Sequence, residues 1–147
     1  MYQKPQQFMI SLKILLKNKK NECLIMESPD FASRFKQKYD LPGGQINDNE
    51  VEMPFHQLVD REIKEEAGAK IKYKLRQDPV ALNKYRFKDG RCILYILFEA
   101  KYLGGEIKIS EEHASYKWQK ISLQNVKKIF HPKLAELIKN YFSWNNL

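Results

Sequence analysis

The chain has 147 residues, enough for one domain with its own core, and 43% hydrophobic against 30% charged residues excludes an intrinsically disordered segment. A formal net charge of +8 favours anionic partners: nucleotides, nucleic acids or anionic membranes. Two cysteines, Cys23 and Cys92, with no CxxC and no Cys/His cluster, exclude a disulfide framework and a zinc finger. Both lie in apolar runs and are expected as buried free thiols. Residues 8–16 are too short a run to span a membrane, are broken by Lys13, and lack a small-residue cleavage site. Neither a membrane span nor a signal peptide is expected, and a reducing cytoplasm is the expected location.

Residues 8–17 and 22–27 are rich in apolar side chains and predict two strands, with polar residues 17–21 as their turn. Residues 31–39 mix charge and aromatics and predict a loop or a short helix. Leu41-Pro42-Gly43-Gly44 is a breaker that demands unusual backbone angles. Pro54 suits the first turn of a helix over residues 55–67, and Gly68 suits the position just past its end. Residues 71–75 and 80–87 predict strands, and Asp89-Gly90 predicts a two-residue hairpin into the apolar run 92–103. Gly104-Gly105 turns the chain into residues 106–109, and residues 116–119 predict a short strand. Two helical segments close the chain at residues 122–130 and 132–142. Strands around one central helix, with more helix at the end, predict a single α/β layered domain over residues 1–147 rather than strict βαβ alternation.

The segment that carries chemistry is Arg61-Glu62-Ile63-Lys64-Glu65-Glu66-Ala67-Gly68. On a helix, Glu62, Glu65 and Glu66 stand at i, i+3 and i+4 and share one face, where like charges repel. Glu65 and Glu66 also fall in the last turn, where the helix dipole disfavours anions. A bound hard cation would reverse that penalty, and an all-carboxylate set selects Mg²⁺, Mn²⁺ or Ca²⁺ over zinc. The competing reading is a solvated acidic face with Arg61–Glu65 and Asp60–Lys64 ion pairs, and the Gly-Gly turn ahead of the same helix weighs against it.

This segment resembles the signature of the Nudix family, G-x5-E-x7-R-E-U-x-E-E-x-G-U, with U a bulky aliphatic residue. Arg61, Glu62, Ile63, Glu65, Glu66 and Gly68 match its second half, and Ala69 stands at the final U. Leu41-Pro42-Gly43-Gly44 is similar to the family's LPGG lead-in, with Tyr39 near where Trp is frequent. Gly44 and Glu50 satisfy the G-x5-E half, but ten residues, 51–60, separate Glu50 from Arg61 where the signature has seven. The mismatch implies a three-residue insertion before the helix, and Glu52 is an alternative to Glu50.

The resemblance implies an α/β/α sandwich with a mixed central sheet, and metal-dependent attack of water on a phosphorus of a diphosphate linked to another moiety. It implies Glu62, Glu65 and Glu66 as metal ligands, helped by the backbone carbonyl of Gly44, with Mg²⁺ or Mn²⁺ as the ion. Arg61 is expected to hold a carboxylate in place, since its planar fork suits bidentate pairing. For the general base the family offers a signature acid such as Glu65 or a later loop acid, and Glu111-Glu112 precedes Tyr116-Lys117-Trp118 in the fitting place. Glu112 is the favoured candidate. His113 beside it is expected as polar surface and Trp118 as core, while Tyr39, Phe31 and Tyr85 are candidates to stack on a nucleobase or to pack.

The expected substrate is a small nucleoside-diphosphate derivative, such as a nucleoside triphosphate or ADP-ribose. Two alternatives stay open: a hydrolase acting on RNA 5′ ends, and a catalytically inactive nucleotide-binding sensor on the same fold. A sensor would be expected to lose a signature Glu or Arg61, and none is missing. The lysines scatter without a helix-turn-helix, RNP or zinc-knuckle pattern, which makes nucleic acid the lesser expectation.

Overall fold

The computed structural model describes residues 3–144; residues 1–2 and 145–147, part of the expected 1–147 domain, lie outside the described residues. The elements follow as β1 (Met9–Lys17), β2 (Cys23–Glu27), α1 (Pro29–Arg34), β3 (Tyr39–Asp40), β4 (Gly43–Gln45), a 3-10 turn (Asp48–Glu50), α2 (Phe55–Glu66), β5 (Lys72–Leu75), β6 (Ala81–Arg86), β7 (Cys92–Gly104), β8 (Ser115–Gln119), α3 (Val126–Ile129) and α4 (Pro132–Trp144). Among the described residues no helix is long and apolar enough to cross a membrane.

The strands form one mixed sheet in the order β3-β2-β1-β7-β5, with β4 also on β1, β6 on β7 and β8 on β2. β1 runs parallel to β7, from Met9 opposite Ile93 to Lys17 opposite Lys101, while the other pairs are antiparallel. Strand alternation explains the two-sided core. Leu12, Ile14 and Leu16 of β1 join Leu24, Phe98 and Ala100 against Leu58, Val59, Ile63 and Ala67 around α2. Leu15 joins Cys23, Ile25 and Leu97 on the other face, against Phe130, Leu134, Leu137 and Ile138. The architecture is the expected α/β/α sandwich, and both cysteines are buried free thiols.

Two local expectations are corrected. The turn after β6 is a three-residue loop, closed by Phe87 N–H donating to Arg91 O at 2.8 Å, with Gly90 at φ +92°. The left-handed glycine supplies the twist that a two-residue turn would otherwise need. Pro54 is the residue flanking α2 rather than its first residue. Residues 105–113 follow β7. They run as a strap across the end of α2, with Lys108 N–H donating to Ala67 O at 2.7 Å and Ser110 N–H to Glu66 O at 3.3 Å. Those bonds satisfy carbonyls that a helix end leaves unpaired.

Candidate active site

The site is built where the Gly-Gly turn meets α2. Gly43 has φ +153°, and a Cβ there would lie 2.0 Å from Leu12 O, so any side chain would separate β4 from β1. A Cβ on Gly44 would lie 2.5 Å from Glu62 Oε1. The bare Gly44 backbone is thus the surface on which the Glu62 carboxylate rests.

α2 buries the stripe Leu58, Val59, Glu62 and Ile63. Glu62 takes a core-facing place on that stripe at 4% exposure. Burial raises its carboxyl above the usual range, against the pull of Arg61. Arg61 collects three carboxylates: Glu50 Oε2 at 2.7 Å, Glu62 Oε1 at 3.2 Å and Glu65 Oε2 at 3.3 Å. The other Glu50 oxygen, Oε1, accepts from Asn47 N–H at 3.0 Å, which closes the 3-10 turn. Glu50 is buried and Glu52 exposed, so the chain brings Glu50 to Arg61. Arg61 Nε is buried and unpaired among the described residues, leaving a donor for a carboxylate that turns inward.

The three glutamates of α2 have different surroundings. Glu65 stands on the solvent side, its side chain 60% exposed, in the Arg61 pair expected of a surface face, and Asp60 likewise pairs with Lys64 at 2.8 Å. Glu66 turns into a cleft of about 520 Å³ that it lines with Asp40, Gly43, Glu112, His113 and Phe31. Its side chain is 14% exposed. Burial pushes its carboxyl up to about 8; the Lys13 charge opposes this, and the Glu62, Asp40 and Glu112 carboxylates add to it.

Glu112 reaches the cleft because the strap carries it there. The same strap sets His113 Nδ1 at 3.2 Å from both Glu66 Oε2 and Ser110 Oγ. His113 is therefore not the surface residue expected: its side chain is 7% exposed. Burial lowers its pKa. Both shifts run toward the uncharged forms, and burial is the first cause of each.

Sequence reading also missed Lys13 and Asp40. Lys13 Nζ donates to Asp40 Oδ1 at 2.9 Å and Oδ2 at 3.0 Å, with both side chains largely buried. Burial works against the Lys13 charge, but Asp40 outweighs it and its pKa is raised. The available signal was a lysine in an otherwise apolar central strand. The aromatic candidates pack. Trp118 lies against Tyr102, Tyr85 donates to Lys133 O at 2.8 Å, and Tyr39 carries the Lys117 ammonium over its ring at 4.7 Å. Phe31 lines the cleft and meets His131 edge-on.

Among the described residues no three carboxylate, imidazole or thiol groups converge into a ready-made metal cage. The donor chemistry nevertheless fits a hard cation. Glu62 and Glu66 are desolvated side chains held beside further carboxylates, and a divalent ion would offset the burial and the repulsion that raise Glu66. Gly44 supplies an adjacent backbone, and Glu65 stands on the solvent side, paired with Arg61.

No protein-family model matches the chain, and no curated protein sequence does. Solved structures match it along its length. A MutT protein from Methanosarcina mazei Go1 is 21% identical, with 99% of this chain and 100% of that one covered, at a TM-score of 0.72. An Ap4A hydrolase from C. elegans is 18% identical, covering 94% of this chain and 98% of that one, at 0.67. A MutT NUDIX hydrolase from Burkholderia pseudomallei is 17% identical, covering 93% and 98%, at 0.64. With its mixed sheet between two helical layers, the chain has the Nudix fold.

Proposed function

We propose that the chain is a Nudix-type pyrophosphohydrolase that uses Mg²⁺ or Mn²⁺ to cut a phosphoanhydride bond in a small nucleoside-diphosphate-linked substrate. The observation that carries this reading is the buried Glu62 carboxylate resting on the Gly44 backbone, one helical turn from the Glu66 carboxyl that faces the cleft. A fold shared with MutT proteins and an Ap4A hydrolase supports it.

Glu62, Glu65, Glu66 and the Gly44 carbonyl would hold the ion. When bound, it would neutralise the polyanionic diphosphate and lower the pKa of water at the site. Arg61 is a positioning residue, fixing Glu62 and Glu50 without touching substrate. Glu112, in the cleft yet solvated, takes the proton of the water that attacks phosphorus, and the second phosphate leaves with the bridging oxygen. Lys13 fixes the Asp40 side chain at the cleft wall, which Glu66 also lines.

A panel of nucleoside triphosphates, dinucleoside polyphosphates and nucleoside-diphosphate sugars, assayed with Mg²⁺ and with Mn²⁺, tests this. At least one small nucleotide should be hydrolysed at the diphosphate. Failure on every member, with capped RNA cleaved instead, would replace the small-substrate reading.

A further inference from the structure

We propose a second anion site, outside the catalytic cleft, that binds an oligophosphate chain at the C-terminal end of β1. A cavity of about 460 Å³ there is lined by Lys17, Lys74, Arg76, Lys101, Glu99 and Asn21, among others. Strand register sets three of these cations in a row. Lys17 stands opposite Lys101 across β1 and β7, and Lys101 stands opposite Lys74 across β7 and β5. Directly opposed residues share one face of a sheet, and like charges so opposed destabilise the pairing. A sheet shaped for stability alone would place an acid at one of these positions.

Four cations line the cavity against one carboxylate. Glu99 accepts from the Tyr141 hydroxyl and holds Lys17 Nζ at 3.1 Å, with Arg76 Nη1 at 3.6 Å from its second oxygen. That network ties Lys17 and Arg76 to the one carboxylate. Lys74 and Lys101 are exposed and have no acidic partner within ion-pair distance among the described residues. Neighbouring strands lie about 4.8 Å apart. The row therefore offers ammonium groups at intervals that successive phosphates of a short chain can bridge.

The chemistry of the lining selects the phosphate chain over a base. The cavity has no aromatic side chain on which a base could stack, whereas grooves that follow single-stranded nucleic acid combine cations with aromatic platforms. Its volume falls in the range of small-molecule sites, roughly 300–1,000 Å³. The ligand is an oligophosphate of about three phosphates, free or as the tail of a nucleotide.

Isothermal titration of the full chain with sodium tripolyphosphate in EDTA tests this independently of catalysis. One-to-one saturable binding is expected, with ATP binding comparably and AMP at least tenfold more weakly. ATP binding well above tripolyphosphate would overturn recognition by the phosphate chain alone. A Lys74→Thr/Lys101→Thr variant should lose at least tenfold in affinity, keep its hydrolytic activity, and melt no lower than wild type, since repulsion across β5 and β7 is removed. Lys101→Gln alone should give an intermediate loss. Glu66→Gln should bind tripolyphosphate as wild type does. Absent binding, equal binding by the double variant, loss in Glu66→Gln, or tighter binding of single-stranded RNA lost in the same lysine variants would each overturn the proposal.

Discussion

Arg61 Nη2 lies 2.7 Å from Glu50 Oε2, joining the middle of α2 to the 3-10 turn that precedes it. The same guanidinium reaches Glu62, so one cation serves two carboxylates that are both almost excluded from solvent. Removing a partner from such a cluster leaves buried charge uncompensated, which costs more than the pair itself contributes.

Arg61→Ala should therefore lower unfolding free energy by about 2–3 kcal/mol, discounted from the fully buried case because Arg61 is 28% exposed. Arg61→Lys should recover less than half of that, since a point charge cannot fork across Glu50 and Glu62. Urea unfolding of both variants measures this. A loss under about 0.5 kcal/mol for the alanine variant, the scale of a surface pair, would show that the cluster is solvated.

Glu66→Gln keeps shape and removes a hard anionic donor. Hydrolysis should fall by roughly 10²-fold or more, the scale of losing one key electrostatic group. The fold should persist, because a neutral side chain suits the buried end of α2 better than a carboxylate crowded by Glu62, Asp40 and Glu112. Steady-state kinetics with a melting curve reads both effects. Wild-type turnover would remove Glu66 from the site.

His131 gives a pH signature elsewhere in the fold. It is buried beside Phe31 and Phe35, and burial lowers its pKa to about 4. The unfolded imidazole titrates near 6.5, so the unfolded chain binds the proton first as pH falls. Its contribution is complete above about pH 6.5, is lost progressively down to about 4, and amounts to roughly 3 kcal/mol. Glu66, raised to about 8, has the opposite slope in metal-free protein. The effect is therefore read as the difference between wild type and His131→Asn. The stability of wild type relative to the variant should fall between pH 6.5 and 4; a constant difference would contradict it.

Much of the fold was legible because local periods carried it. Apolar runs marked β1 and β7, and Gly68 closed α2, whereas Gly43 and Gly44, read as a breaker, lie within β4. The separate surroundings of Glu62, Glu65 and Glu66 were not legible, since a helical wheel places all three on one side and packing alone decides which faces Gly44, the cleft or water. Lys13–Asp40 and His113–Glu66 were missed for the same reason. Each joins residues far apart in the chain, through β1 meeting the Gly-Gly turn and through a strap that only the end of α2 gives a place. The hairpin after β6 was misread by one residue because Asp-Gly serves both loop lengths.

A small substrate should show shallow salt dependence at constant free Mg²⁺. Each phosphate neutralised on a single strand adds roughly −0.7 to the slope of log K against log salt, so an RNA end engaging several phosphates would be steep. Measuring kcat/KM for the best substrate across a salt series distinguishes them, and a steep slope with preference for capped or triphosphorylated RNA would contradict the small-nucleotide assignment.

Metal dependence is the most direct test of the central claim. The best substrate should be assayed after chelation with excess EDTA and again on adding back Mg²⁺ or Mn²⁺. The account predicts no hydrolysis in EDTA, full recovery with either ion, and loss of that recovery in Glu66→Gln. Undiminished hydrolysis in excess EDTA would contradict the reading of Glu62, Glu65, Glu66 and Gly44 as a metal site.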